Sequence, residues 1–155
     1  MAWSVSVSCR LDCTIEQARA ILMDPATLQH VAAPILRFRP IDPPHWPAPW
    51  QEGEYLALVR LFGMLPLGHQ WIRTSFPPLP DDDGTGGFAV RDNGSGSLAR
   101  VWDHWVFARP QAGARTSYTD RVHVEAGLLT PLVWAFAQGF YRWRQARLRK
   151  LAVRR

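Results

Sequence analysis

The residue types best suited to chemistry fall on two neighbouring stretches, Trp102-Asp103-His104 and Thr119-Asp120-Arg121. From Arg115 to Glu125 the chain alternates, as a half-buried strand does. Thr116, Tyr118, Asp120, Val122 and Val124 share one face, and Ser117, Thr119, Arg121, His123 and Glu125 the other. The first face is the apolar one, so Asp120 turns inward. A buried carboxylate is costly unless something takes up its charge. If the intervening turn centres on Ala112, His104 stands directly opposite Asp120 and projects to the same face, with Trp102 and Val106. A register one residue off would set Asp103 against Asp120, and facing carboxylates repel. The expectation is therefore a His104–Asp120 pair. Two roles are open to it. It can be a satisfied polar contact that fixes strand register. It can also be a base, with the aspartate holding one imidazole nitrogen and the other turned toward a ligand.

Around that pair, Tyr118 and Tyr141 could supply hydroxyls. His69 is in phase with Trp71 and is expected to face the same interior. His123 falls on the polar face, and His30 and His45 lie at a helix end and in a loop. Cys9 and Cys13 have the spacing of neither a zinc site nor an indicated disulfide. No Gly-x-Ser-x-Gly elbow, phosphate loop or dinucleotide fingerprint occurs. Asp81, Asp82 and Asp83 lack the spacing of a calcium loop and read as a solvated turn. No metal and no cofactor is expected.

These groups need elements to position them. Trp3, Val5, Val7, Cys9 and Leu11 alternate with polar residues and form a first strand. Thr14 and Gln17 fit a capping box that opens a helix through Leu22, and Asp24-Pro25 starts a second short one. Strands follow at Ile35–Ile41, Glu54–Leu61 and Gly68–Phe76, the last two joined by a turn built on Gly63 and Pro66. Asp42 to Gly53 is a stiff loop with Trp46 and Trp50 among its prolines. It either packs down on a core edge or overhangs a pocket. Phe88–Asp92 is a short strand closed by an Asn93-Gly94 turn. Leu98–Ala108 and Arg115–Glu125 complete the strands. Thr130 to Arg155 then reads as one long helix, with Thr130 as N-cap, Pro131 at the first position, and Val133, Phe136, Phe140, Trp143 and Leu151 as its apolar stripe.

The order of elements resembles the helix-grip architecture of the START-like (SRPBCC) superfamily, which includes polyketide cyclases and dehydrases, lipid-transfer domains and plant ligand-binding proteins. The stretches that carry the resemblance are Asp24-Pro25-Ala26-Thr27-Leu28, Trp50-Gln51-Glu52-Gly53, Gly63 to His69, Trp102-Asp103-His104, Thr119-Asp120-Arg121-Val122 and Phe140-Tyr141-Arg142-Trp143-Arg144. It implies an α+β fold, with a curved antiparallel sheet of six to seven strands wrapped around the C-terminal helix and two short helices after the first strand. Residues 1–155 would form one domain. It also implies a hydrophobic cavity between sheet and helix, for which His69, Trp71, Trp102, Val106, Tyr118, Val122, Phe136 and Phe140 are the candidate lining. Fold does not fix reaction. A carrier or sensor of a lipophilic small molecule or lipid comes first. A cyclase or dehydratase using His104 and Asp120 is the alternative.

Composition is compatible with both. The chain has 155 residues, 47% hydrophobic and 20% charged, as a globular protein does. Eight tryptophans are many for this length, and Trp suits pockets and interfaces as well as cores. The net charge is +5, with Lys150 the only lysine. Seven basic residues and no acidic ones lie between Arg142 and Arg155. They suit a helix C-terminus. They also admit an interaction protein that docks on an anionic membrane or nucleic acid, although the charges lie on several sides of the helix, which weakens the case for a dedicated binding face; of the two, peripheral membrane contact is preferred and nucleic acid is disfavoured. No run is long and apolar enough to span a membrane, and no signal peptide is visible, so a reducing, cytoplasmic setting is expected. Oligomeric state is not legible.

Overall fold

The computed structural model describes residues 3–81 and 84–154. Asp82, Asp83 and Arg155 lie outside the described residues, and with them most of the aspartate turn and the end of the basic run. β1 (Trp3–Leu11) is followed by α1 (Ile15–Leu22) and α2 (Pro25–Ala32). Then come β2 (Leu36–Asp42), β3 (Gly53–Leu61), β4 (Leu65–Ser75), β5 (Phe88–Gly96), β6 (Val101–Gln111) and β7 (Arg115–Glu125). A short 3-10 turn over Gly127–Leu129 leads into α3 (Thr130–Val153). The strands form a seven-stranded sheet in the order β1-β7-β6-β5-β4-β3-β2, antiparallel at every pairing.

Local signals explain most boundaries. Thr14 accepts from the Gln17 amide while the Gln17 side chain accepts from the Thr14 amide, closing the capping box of α1. Asp24 caps α2 through the Ala26 amide, with Pro25 behind it. At 24 residues α3 is about 36 Å long. It lies along β1 and against α2 and β7. The sheet curls away from it toward β2, and that divergence leaves a space between the two layers.

Several expectations are corrected. Asn93 to Gly96 is not a turn: β5 runs through it and the reversal falls at residues 97–100. Gly94 and Gly96 are needed for close strand approach instead. A Cβ on Gly96 would sit 2.4 Å from Gln70 Oε1 and 2.5 Å from the His69 carbonyl. The β3–β4 turn is tighter than expected, with Phe62 and Gly63 at positive φ and Pro66 already in strand. Thr130 is the first residue of α3 rather than its cap. Its hydroxyl closes the preceding turn, accepting from the Ala126 amide and donating to the Gly127 carbonyl. The buried stripe of α3 runs through Val133, Ala137, Phe140, Tyr141, Gln145, Leu148 and Ala152. Trp143 is exposed, its indole donating to the Ala33 carbonyl at 2.9 Å.

The β6–β7 register is displaced by two residues from the expected one. His104 stands opposite Val122, and Asp120 opposite Val106, because the turn centres on Gly113 rather than Ala112. A two-residue shift preserves the facing of every side chain. His104 and Asp120 therefore still share the inner face, as diagonal rather than direct neighbours.

Candidate functional site

The space between sheet and helix is a cavity of about 450 Å³. That lies within the range of roughly 300–1,000 Å³ usual for small-molecule sites. Each wall comes from one face of an alternating element. β2 and β3 give Leu36, Phe38, Val59 and Leu61. β4 gives Gln70, Ile72 and Thr74, and β5 gives Val90 and Asp92. β6 supplies Trp102, His104 and Val106, and α3 supplies Val133, Phe136, Phe140, Tyr141 and Arg144. Leu28 and Trp50 close the side toward α2 and the proline-rich loop. That loop packs down on the core edge and reaches the cavity: Trp50 is buried beside Trp46 and Tyr55, and its amide donates to the Met23 carbonyl.

One polar network joins β6, β7 and α3. His104 Nε2 lies 2.6 Å from Asp120 Oδ1. The same oxygen accepts from the Tyr118 hydroxyl at 2.8 Å, and Oδ2 accepts from Gln145 Nε2 at 3.0 Å. Gln145 Nε2 also donates to the Val7 carbonyl at 2.7 Å, tying the network to β1. Burial would raise the Asp120 carboxyl, but the His104 bond, the Arg144 charge and Gln145 hold it below the usual carboxylate range. Burial pushes the His104 imidazole below its ordinary value, against the pull of Asp120. At neutral pH the pair is thus a carboxylate and a neutral imidazole whose Nε2–H donates to it. Nδ1 then carries the lone pair, and it has no hydrogen-bond partner among the described residues.

Directly across from His104 on β5 lies Asp92. Its Oδ1 accepts from the Arg73 amide at 2.8 Å, and burial pushes its carboxyl up to about 7. Tyr141 accepts from Trp102 Nε1 at 3.0 Å and its ring lies 4.8 Å from that of His104. Arg144 follows one turn on, its guanidinium 5.2 Å from the Tyr141 ring centre and 5.9 Å from that of Phe140. Burial opposes its charge, yet the field of the Asp120 carboxylate, foremost among its neighbours, outweighs that and pushes the guanidinium above its ordinary value.

Of the residues singled out in the sequence, Trp102, His104, Val106, Phe136 and Phe140 line the cavity. Asp120, Tyr118 and Val122 lie behind this wall, fully buried. His69 is exposed and borders both the cavity and a small outer recess. Trp71 is not a lining residue. The phase of β4 is opposite to that expected, so Gln70, Ile72 and Thr74 point inward. Trp71 stands on the outer face beside the Arg73 guanidinium, 5.6 Å from its ring centre. Sequence reasoning missed Asp92, Arg144 and Gln145 as site residues. The signal for Arg144 was helical spacing: it falls on the stripe of Ala137, Tyr141 and Leu148. The signal for Asp92 was its alternation with Phe88 and Val90. Both cysteines are free, and burial followed by the Asp120 charge pushes the Cys9 thiol up to about 12. Among the described residues no three or more His, Cys, Asp or Glu side chains are grouped so as to hold a metal ion.

The same arrangement of sheet and helix occurs in solved structures. An aromatase/cyclase from Streptomyces sp. R1128 superposes with a TM-score of 0.68 at 10% identity, covering 100% of this chain and 96% of that one. A START superfamily protein from Mycobacterium smegmatis gives 0.62 at 11% identity, over 97% of each chain. A norcoclaurine synthase from Thalictrum flavum, in complex with a transition-state analogue, gives 0.62 at 9% identity, over 99% and 96%. The chain has the helix-grip fold. At these identities the likeness is one of fold. No family model matches the chain, and no curated protein matches it either. The helix-grip reading accounts for the long α3 laid across the open side of the sheet, and for a cavity where the two diverge. No helix among the described residues is long and apolar enough to cross a membrane.

Proposed function

We propose that the protein binds a lipophilic small molecule in the cavity between the sheet and α3. The observation that carries this reading is the cavity itself: about 450 Å³ walled mainly by leucine, valine and aromatic side chains, with a few polar groups, His104, Asp92 and Arg144 among them. Apolar walls supply affinity by removing ligand surface from water, and a few converging polar groups supply orientation. A norcoclaurine synthase of similar fold is solved in complex with dopamine and hydroxybenzaldehyde, which is in keeping with a small-molecule ligand for this fold. The test is titration with N-phenyl-1-naphthylamine, a neutral fluorophore that brightens in apolar surroundings. Saturable enhancement is expected, and Val59→Phe, which fills the wall of the cavity, should weaken it. No enhancement, or enhancement indifferent to Val59→Phe, would overturn the reading.

A second reading is favoured by one geometric fact. His104 faces the cavity as a neutral base oriented by a buried carboxylate, the arrangement that lets an imidazole Nδ1 remove a proton next to a ligand carbonyl. Asp92, titrating near neutrality across the strand, would serve as the complementary acid. On this reading the chain is a cyclase or dehydratase acting on an aromatic or β-keto substrate. His104→Gln keeps a polar contact to Asp120 and removes the base. It should lower turnover of a β-keto thioester by about 10²-fold or more with binding little changed. Turnover unaffected by the substitution would remove His104 from the mechanism.

A further inference from the structure

Arg144 is out of place in a lipophilic cavity. Arginine is rarely buried without a partner, because a desolvated charge is costly unless its donors are taken up. Its Nε is buried and makes no hydrogen bond to any described residue. Among the described residues no carboxylate stands within ion-pair distance of it. Asp120 is already occupied by His104, Tyr118 and Gln145. Tyr141 and Phe140 flank the guanidinium and limit where it can swing. The helix positions it deliberately in one sense: Arg144 shares the stripe of Tyr141 and Leu148, whereas Arg142 and Arg147 turn outward to the Gln138 and His30 carbonyls.

We infer that the ligand is an amphipathic monocarboxylic acid, whose carboxylate seats on the unpartnered Arg144 guanidinium while its apolar body fills the cavity toward β2 and β3. This inference rests on the small-molecule reading above and names the chemistry of its ligand. The guanidinium is a planar fork of donors that matches a carboxylate with two parallel hydrogen bonds. A single guanidinium suits a single negative charge. A phosphate monoester would bring a second charge into a wall that already holds Asp92, and no second free cation lines the cavity among the described residues. An uncharged alcohol or ester would leave the fork unsatisfied, and a site built around a charged donor discriminates against such analogues.

The experiment compares decanoate, decan-1-ol and methyl decanoate by isothermal titration on the full chain at neutral pH, beside the neutral fluorophore. Decanoate is expected to bind about tenfold or more tightly than either neutral analogue, the margin of a charge-assisted pair in a water-poor site. Arg144→Met keeps the apolar stem and removes the fork, so the preference for decanoate should collapse toward parity. Arg144→Lys retains a point charge without the fork and should hold an intermediate preference, which keeps the outcome readable if the methionine variant fails to fold. Equal binding of acid and alcohol by the native protein would overturn this inference and leave the small-molecule reading standing. The same holds if the decanoate preference survives in Arg144→Met. If neither the decyl compounds nor the fluorophore binds, both readings fall together. A merely structural arginine, bracing Tyr141 or balancing Asp120, would shift all three affinities alike and leave their ratios unchanged, and that result would also overturn it.

Discussion

Asp92 and Asp120 are two carboxylates within one wall, and their surroundings push them apart. Asp120 has three side-chain donors to its oxygens and stays ionised. Asp92 has one backbone donor, and burial carries it from 3.8 to about 7. A carboxyl raised in the folded state contributes stability below its unfolded value and loses it as pH rises through the folded one. Native Asp92 therefore works against the fold above about pH 7, at an upper limit of about 4 kcal/mol. Asn can accept from the Arg73 amide as Asp does, without the charge. The gap in Tm between Asp92→Asn and the native protein is thus expected to widen in favour of the variant from about pH 5 to pH 8. Melting curves at the two pH values check it. A constant gap would mean that Asp92 stays ionised throughout.

At the scale of elements, what was legible followed from periodicity and what was not followed from long-range pairing. β1 and β7 alternate cleanly, α1 carries its capping box, and α2 carries Asp24-Pro25. Their bounds could be read because each signal is local. The inward facing of Asp120 and His104 was legible for the same reason. Their register was not, because Ala112 and Gly113 are equally plausible turn centres until the strand opposite fixes the choice. The pair survives the error because a shift of two keeps its facing. β4 had no such protection. Its inner face is Gln70, Ile72 and Thr74, two of them polar, while Trp71 on the outer face is large and apolar. Hydropathy therefore pointed the wrong way, and the outward tryptophan is compensated by contact with the Arg73 guanidinium. Asn93 to Gly96 misled in another manner. Its glycines serve the approach of β4 to β5, which only the neighbouring strand reveals. In α3, the many basic residues after Arg142 concealed that one of those arginines, Arg144, faces the cavity.

For the molecule as a whole, the cavity is both the place of function and a place where stability is forgone. Side chains that line the cavity have fewer packing partners within the protein than those of the core, and Arg144 and Asp92 make few hydrogen bonds to described residues. An occupant that satisfies both must bind the native state and not the unfolded chain, so it raises stability by mass action. At a ligand concentration about a hundredfold above Kd the gain is about 2.7 kcal/mol. For a chain of this length that corresponds to an increase in Tm of about 5–10 °C. Decanoate should produce such a shift in the native protein. It should produce a much smaller one in Val59→Phe, whose own ring takes up part of the space, and an intermediate one in Arg144→Lys, which keeps the charge and loses the fork. Thermal melts with and without decanoate, read beside decan-1-ol, separate the contributions: the alcohol reports the apolar walls, and the difference between the two reports Arg144. A shift of equal size for both ligands would place the linkage in the walls alone, whereas no shift at concentrations that saturate the fluorophore site would mean that decanoate does not enter the folded molecule.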